Sequence, residues 1–522
     1  MARRRAKKRT AEERALDDLA EPHSALWTCL IELWAWGSLS SPIVQKLASA
    51  ARQSGCAFVI SRLLRTSATA ARKKETCTGI SCARTLPAAS LQSSAGERTE
   101  STSQAILPAS EWIRSLCGHG LDAALLGSEA DRVRFWERQL SSPRAVGVGY
   151  YHVRSFCPAQ TVPLLLFADG ASHAEHDGTV ACDIAESMFL LAALPKSAAV
   201  KRESWRQLWS ALVADFNDLA HGRAADGSAL PLRAVVWVVS GDYEHMANEY
   251  GLPHWASFRC FWCCKQKADF FDFGDIARQT YAVEDLLDQA ALEHPLTALT
   301  NFSPCMFAID TLHCLDLGVA AHVYGNVFYE LTRDWPETKI GSIQRLNREL
   351  RAHCAALAVQ PPRLAPAVAA LAATYGCGST HRKRRARVTS LLASLYEAAS
   401  CRDLVMPADK HEDFVNALSE FLDQYRCLRA ACRDDGWHIV FKFHMLRHLD
   451  EQSKHLSPRY VWTYPGETLM SLVCQLAGSC SRGTPGRLLG VKVLEKYRVA
   501  QHLMLSGQIP VRSRMVSDEL GE

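Results

Sequence analysis

Strong net charge, long apolar runs and regular cysteine spacing are all missing from this 522-residue chain. Lys and Arg number 59 against 55 Asp and Glu, a net charge of only +4. Bulk charge therefore names no partner, and a polyanion must be argued from local clusters. The most apolar early run, residues 25–36, is interrupted by Glu32 and is too short to span a bilayer. No membrane partner is expected. No secretory pattern opens the chain: Arg3, Arg4, Arg5, Lys7, Lys8 and Arg9 come first, with no apolar stretch after them. The 19 cysteines are odd in number and irregular in spacing. A reducing, intracellular compartment is expected, with most cysteines acting as small buried hydrophobes. No internal repeat is visible. What remains is globular: 48% hydrophobic and 22% charged residues exclude collagen-like, coiled-coil, disordered and small disulfide-scaffold classes.

The chain reads as a series of segments. Residues 1–23 form a basic tail, in which Arg3, Arg4, Arg5, Lys7 and Lys8 suit a nuclear-import signal, a phosphate-contacting arm or simply a solvated end. Residues 24–73 are expected as a helical N-terminal extension, and the Ser/Thr/Ala-rich 74–107 as a linker. From 108 the chain becomes structured. VPLLLFA (162–168) runs into Asp169-Gly170, and AVVWVV (234–239) is followed by Gly241-Asp242. Continuous apolar runs of this length bounded by turn residues predict buried strands. Residues 179–194 hold material for one or two more strands, and Trp205, Leu208, Leu212 and Phe216 keep helical spacing. Residues 108–242 make a first block. Residues 243–440 read as mostly helical, with Ile343, Leu346, Leu350, Cys354 and Leu357 on one period before Pro361-Pro362, and with Phe414, Leu418, Phe421, Tyr425 and Leu428 on another. In 441–505 short elements precede helices near Gly466–Leu472 and over Leu488–Leu503, and 506–522 are a tail.

Two buried strands that each end at an aspartate place Asp169 and Asp242 where α/β sheets gather their chemistry. A third acid, Glu467, opens a late helix after Trp462, Tyr464 and Pro465. Three carboxylates suit a hard cation such as Mg²⁺ or Mn²⁺, and two such ions can clamp both oxygens of a phosphodiester exchange. An Asp beside Gly is also simply a good turn residue. Separately, Cys260-Phe261-Trp262-Cys263 is a CxxC, with His254 upstream and Asp310-Thr311-Leu312-His313 downstream. Thiolate and imidazole are zinc ligands. The candidate set is Cys260, Cys263 and His313, completed by His254 or Asp310; packed cysteines among aromatics are the alternative. There is no second CxxC at ribbon spacing.

In this order the motifs resemble the catalytic region of cut-and-paste DNA transposases of the DDE/DDD type, and look closest to the CACTA and Kyakuja–Dileera–Zisupton group. The matching residues are Asp169-Gly170, Gly241-Asp242, Cys260 to Cys263, Asp310 to His313, Lys442-Phe443-His444 with His448, and Glu467, across roughly 150–505. The resemblance implies an α/β, RNase H-like mixed sheet interrupted by a large, mostly helical insertion. It implies Asp169, Asp242 and Glu467 as catalytic ligands of two Mg²⁺ (or Mn²⁺) ions. It also implies a structural role for the CxxC and Asp-x-x-His, with Lys442, His444 and His448 supporting the cleft. Double-stranded DNA would be the partner, a homo-oligomer is compatible, and the location would be nuclear. Glu451 and Glu495 compete with Glu467 for the third position. No zinc-finger spacing precedes the core, as in a domesticated or decayed copy. For the DNA backbone the better cluster is Arg382, Lys383, Arg384, Arg385 and Arg387, whose alternative is a solvated loop. A catalytically silent DNA-binding descendant and a zinc-stabilised interaction module are the competing readings.

Overall fold

The computed structural model describes residues 88–505, except 96–97, 142–155, 172–176, 185–186, 196–200, 253–259, 264, 266–267, 269, 271–293, 358–363, 433–435 and 482–483. The basic tail with Arg3, Arg4, Arg5, Lys7 and Lys8, the helical segment 24–73, His254 and the tail 506–522 lie outside the described residues. The described chain is mixed α/β and mostly helical.

A hairpin of β1 (Ala88–Ala95) and β2 (Arg98–Ala105) comes first. It occupies most of the second half of the stretch expected as linker, although only Thr99 and Thr102 in it favour strands and no apolar face alternates. Helices α1 (Ala109–Gly118) and α2 (Glu129–Leu140) follow, the latter opened by a Ser128/Asp131 capping box. The main sheet consists of β3 (Thr161–Ala171), β4 (Asp177–Ile184), β5 (Ser187–Pro195) and, after α3 (Lys201–Ala220), β6 (Arg233–Ser240). Its order is β5-β4-β3-β6. The first three strands are antiparallel neighbours, and β6 lies parallel to β3. The parallel pair needs a crossover, which α3 supplies.

The two predicted apolar runs are the parallel pair, β3 inside the sheet and β6 at its end. Leu164, Leu166, Val236 and Val238 are fully buried, as expected where both faces are covered. The free edge of β5 is closed by other segments: Leu107 N–H donates to the Leu191 carbonyl (2.7 Å), Trp112 Nε1 to that of Leu190 (3.3 Å), and Tyr497 Oη to that of Met188 (3.2 Å).

Past β6 comes α4 (Tyr243–Tyr250), then a π-helical stretch (Leu312–Ala320) that continues as α5 (Ala321–Asp334). Helices α6 (Lys339–Ala356), α7 (Ala365–Thr374), α8 (Thr380–Ala399) and α9 (Ala408–Ala431) follow. The set ends with α10 (Phe441–Ser453), α11 (Tyr464–Ser481) and α12 (Gly486–Leu505). α11 packs on β3 and β5 and α12 on β5, so a long helical segment separates β6 from the helices that return to the sheet. On α6 the predicted face turns inward at its middle, where Leu346 and Leu350 pack against the core, while Ile343 and Leu357 at the ends of the set are exposed and Ser342 is buried. No described helix is long and apolar enough to cross a membrane.

Candidate functional site

The parallel register sets Phe167 opposite Ser240. Two residues on from each are Asp169, still within β3, and Asp242, two residues past the end of β6 at the N-cap of α4, so the parallel register brings both aspartates to the same end of the sheet. Gly241 makes this possible. Its φ is +152°, and a Cβ there would lie 2.7 Å from the Ala168 carbonyl oxygen. Asp242 occupies the N-cap position of α4, yet its carboxylate makes no capping hydrogen bond. It meets the Lys442 ammonium at 3.4 Å and remains partly open to solvent.

Glu467 reaches the same region from the opposite end of the chain. Gly466 rests on the ring of Phe167, two residues before Asp169: a Cβ at 466 would sit 2.7 Å from that ring. The Tyr-Pro-Gly-Glu sequence thus has a packing reason, since only glycine lets the first turn of α11 press on β3. The competitors stand apart. Glu451 pairs with Lys454 (2.7 Å) and Glu495 with Lys492 (3.3 Å), each an exposed i,i+3 pair.

His313 joins these groups electrostatically. Its Nδ1 is hydrogen-bonded to the buried Asp310 carboxylate, and its Nε2 lies 3.7 Å from Glu467 Oε1. Burial alone would favour neutral imidazole. The Asp310 hydrogen bond and the charges of Asp310, Asp242 and Glu467 outweigh it, so the His313 pKa is raised. Asp310 also accepts from Leu312 N–H (2.8 Å), Thr463 N–H (3.3 Å) and Thr463 Oγ1 (2.5 Å). It thereby fastens the start of the π-helical stretch to the segment that delivers Glu467. Asp316 does the same one turn on, accepting from Tyr396 and from Trp462 Nε1 (2.8 Å); burial pushes its carboxyl up to about 6.

The second constellation is a buried Cys₂His₂ group. Cys260, Cys263, His444 and His448 each offer one ligand atom, and all four atoms lie within 4.8 Å of one another. Cys260 Sγ is 3.3 Å from His448 Nε2, Cys263 Sγ is 3.2 Å from His444 Nε2, and the two Nε2 atoms are 3.2 Å apart. Tetrahedral coordination with bonds of about 2.3 Å to sulfur and 2.0–2.1 Å to nitrogen gives ligand–ligand edges of roughly 3.3–3.8 Å. This group can hold a metal ion. Its protonation suits one: the Cys263 pKa is lowered, first by Cys260 and also by His444 and His448, and burial lowers that of His448 toward neutral imidazole.

The ligand set expected from the sequence is therefore corrected. His313 and Asp310 do not complete the CxxC; they face Glu467, while His444 and His448 supply the two imidazoles. An i,i+4 histidine pair places both rings on one face of α10, and this was the available signal. Lys442 belongs to the same helix, so α10 serves both constellations. The aromatic wall between them is continuous: Tyr243, next to Asp242, has its ring centroid 5.2 Å from Trp262 and 5.4 Å from Phe441, and Phe441 is 5.6 Å from His444.

The basic cluster lies not on a loop but on the first turns of α8, and most of its charge is already engaged. Arg385 is buried and paired with Glu330 (3.1 Å), which also receives His381 (2.9 Å) and Trp437 Nε1 (2.6 Å). Arg382 pairs with Asp334 (3.3 Å), and Arg387 Nε with Glu420 (2.6 Å). Lys383 and Arg384 remain for solvent or a ligand. In comparisons with family models and with curated proteins, nothing matches the chain.

Proposed function

We propose that the chain is a transposase-like protein that cuts and joins DNA strands with divalent metal, on an RNase H-like core. One observation carries this reading: the parallel register of β3 and β6 delivers Asp169 and Asp242 to the same end of two adjacent strands, with the glycine before Glu467 packed on the first of them. The strand order, with three antiparallel strands and a fourth parallel to the first, supports this reading. The donor chemistry fits magnesium or manganese. Asp242 is spared from helix capping, and the Lys442 ammonium stands against it as a cation would. Asp169, Asp242 and Glu467 would hold the ions, which when bound supply Lewis-acid stabilisation of the attacking and leaving oxygens.

The remaining residues have separate tasks. Asp310 holds His313 with a proton available at Nε2 on the side of Glu467, a donor for a phosphate oxygen. Lys442 balances the charge of Asp242. The Cys₂His₂ group, read as a structural zinc site, fixes α10 and with it Lys442. The basic N-terminal tail is read as a nuclear-import signal.

The ion pairs themselves favour a second reading, a catalytically silent DNA-binding descendant, because Lys442 and His313 already neutralise two of the three acids. Plasmid nicking in Mg²⁺ or Mn²⁺ separates the two. The first reading expects nicking that disappears in Asp169→Asn and in Asp242→Asn. Nicking that survives both substitutions would overturn the assignment of these acids.

A further inference from the structure

Away from the acids, two adjoining cavities of about 500 and 270 Å³ share Arg138 as a common wall. Together they form a trench between α2, the 403–407 loop and residues 454–460. Its charged rim carries Arg134, Arg138, Lys454 and His455, against Asp131 and Asp403, and two aromatic rings, Phe135 and Tyr460, line one end.

The trench is preformed. Ser457 N–H donates to the Leu404 carbonyl (2.8 Å), Ser457 Oγ to that of Cys401 (3.1 Å), and Tyr460 Oη to that of Arg402 (2.9 Å). Gln139 Nε2 reaches the His455 carbonyl (3.5 Å) while its Oε1 accepts from the buried indole of Trp237 (3.2 Å). Three separate parts of the chain are thus locked into one wall before any ligand arrives, which lowers the ordering cost of binding.

The charge on the rim is available. Arg138 is exposed and makes no ion pair among the described residues. Lys454 pairs with Glu451 only on the exposed surface, an interaction worth little and easily exchanged. Asp131 is already used by Ser128 and by Arg134. Unburied cations along an open trench, with the exposed Tyr460 ring at one end, suit a nucleic-acid backbone.

We propose that this trench carries the DNA flanking the reacting phosphodiester, with Arg138 and Lys454 on backbone phosphates; the proposal rests on the reading of the acids as a DNA-processing centre. The connection to that centre is short. From Tyr460 four residues reach Tyr464 and three helical residues reach Glu467, at most ~20 Å of chain. That span corresponds to about six base pairs at ~3.4 Å each. The phosphate nearest Tyr460 should therefore lie within about six base pairs of the cut.

The test is binding of a fluorescein-labelled 30-base-pair duplex of mixed sequence to the full chain, titrated across salt without added divalent metal. Arg138→Ala with Lys454→Ala should weaken binding about tenfold at low salt and reduce the log–log salt slope by about 1.8. Arg138→Lys should restore most of its share. Both side chains are exposed, and unchanged melting curves will establish that the variants fold. Equal slopes for wild type and the double variant would overturn the proposal. So would loss of slope only in Lys383→Ala with Arg384→Ala, which would move the track to α8. Nicking activity retained alongside an unchanged slope would remove the trench but leave the acidic centre standing.

Discussion

Cys260→Ala is the sharpest perturbation of the Cys₂His₂ group, because it removes one of four buried ligands and leaves the other three in place. Without it the Cys263 thiolate, whose lowered pKa depends first on Cys260, keeps a buried charge with less compensation. Deleting one partner of a buried charged set costs about 3–5 kcal/mol. With ~2.1 cal/mol/K of unfolding entropy per residue over a core of this size, about 1.5 °C per kcal/mol, melting should fall by roughly 4–8 °C. Chelation should do more. Structural zinc binds with an apparent ~10–16 kcal/mol, comparable with the whole ~5–15 kcal/mol of an ordinary domain. Elemental analysis should find one zinc per chain in wild type and in His313→Ala, and a substoichiometric amount in Cys260→Ala. Calorimetry with and without chelator supplies the stability. Full zinc occupancy in Cys260→Ala, or wild-type melting indifferent to chelator, would refute the four-ligand assignment. Zinc lost from His313→Ala would return the ligand set to the one suggested by sequence spacing.

Three further outcomes are expected. Gly466→Ala places a methyl group 2.7 Å from the Phe167 ring; it should cost about 1–3 kcal/mol as overpacking, and Phe167→Leu should relieve part of that in a double-mutant cycle read by denaturant titration. Asp215 is held by Ser110 at the start of α1, and burial pushes its carboxyl up to about 6; the native state then binds the extra proton, so stability is greatest below pH ~4 and falls by about 3 kcal/mol as the pH rises to ~6, a slope that Asp215→Asn should abolish in urea titrations at stepped pH. Arg385→Ala leaves Glu330 buried with less compensation and should cost about 3–5 kcal/mol while leaving the salt slope of DNA binding unchanged, because Arg385 is 1% exposed.

The strands were legible because VPLLLFA and AVVWVV are continuous apolar runs ended by glycine and aspartate, and a strand buried on both faces has no other way to be written. Their shared register was not legible, since sequence does not state which residue of β3 lies beside which residue of β6. The Ala88–Ala105 hairpin escaped because its Ser/Thr sequence carries no apolar alternation. The metal ligands were half legible. A CxxC announces two donors, but the other two stand more than 180 residues away, and His313 lies closer along the chain than His444 or His448. The Asp-x-x-His at 310–313 looked like the missing half, and three-dimensional packing gave it to Glu467. On α8 the sequence counts five cations, whereas helical geometry turns His381 and Arg385 inward together onto Glu330 and leaves little of the count for a ligand.

Helix α10 behaves as an axle with different loads on two sides. Lys442 hangs over the acid that follows β6, while His444, about half a turn on, and His448, one turn beyond that, are pinned to the CxxC loop. A shaft gripped by two imidazoles cannot rotate or slide without dragging its ammonium off Asp242. Loosening that single buried joint would therefore be felt beside Asp242, at the far end of the shaft, as a change in charge balance.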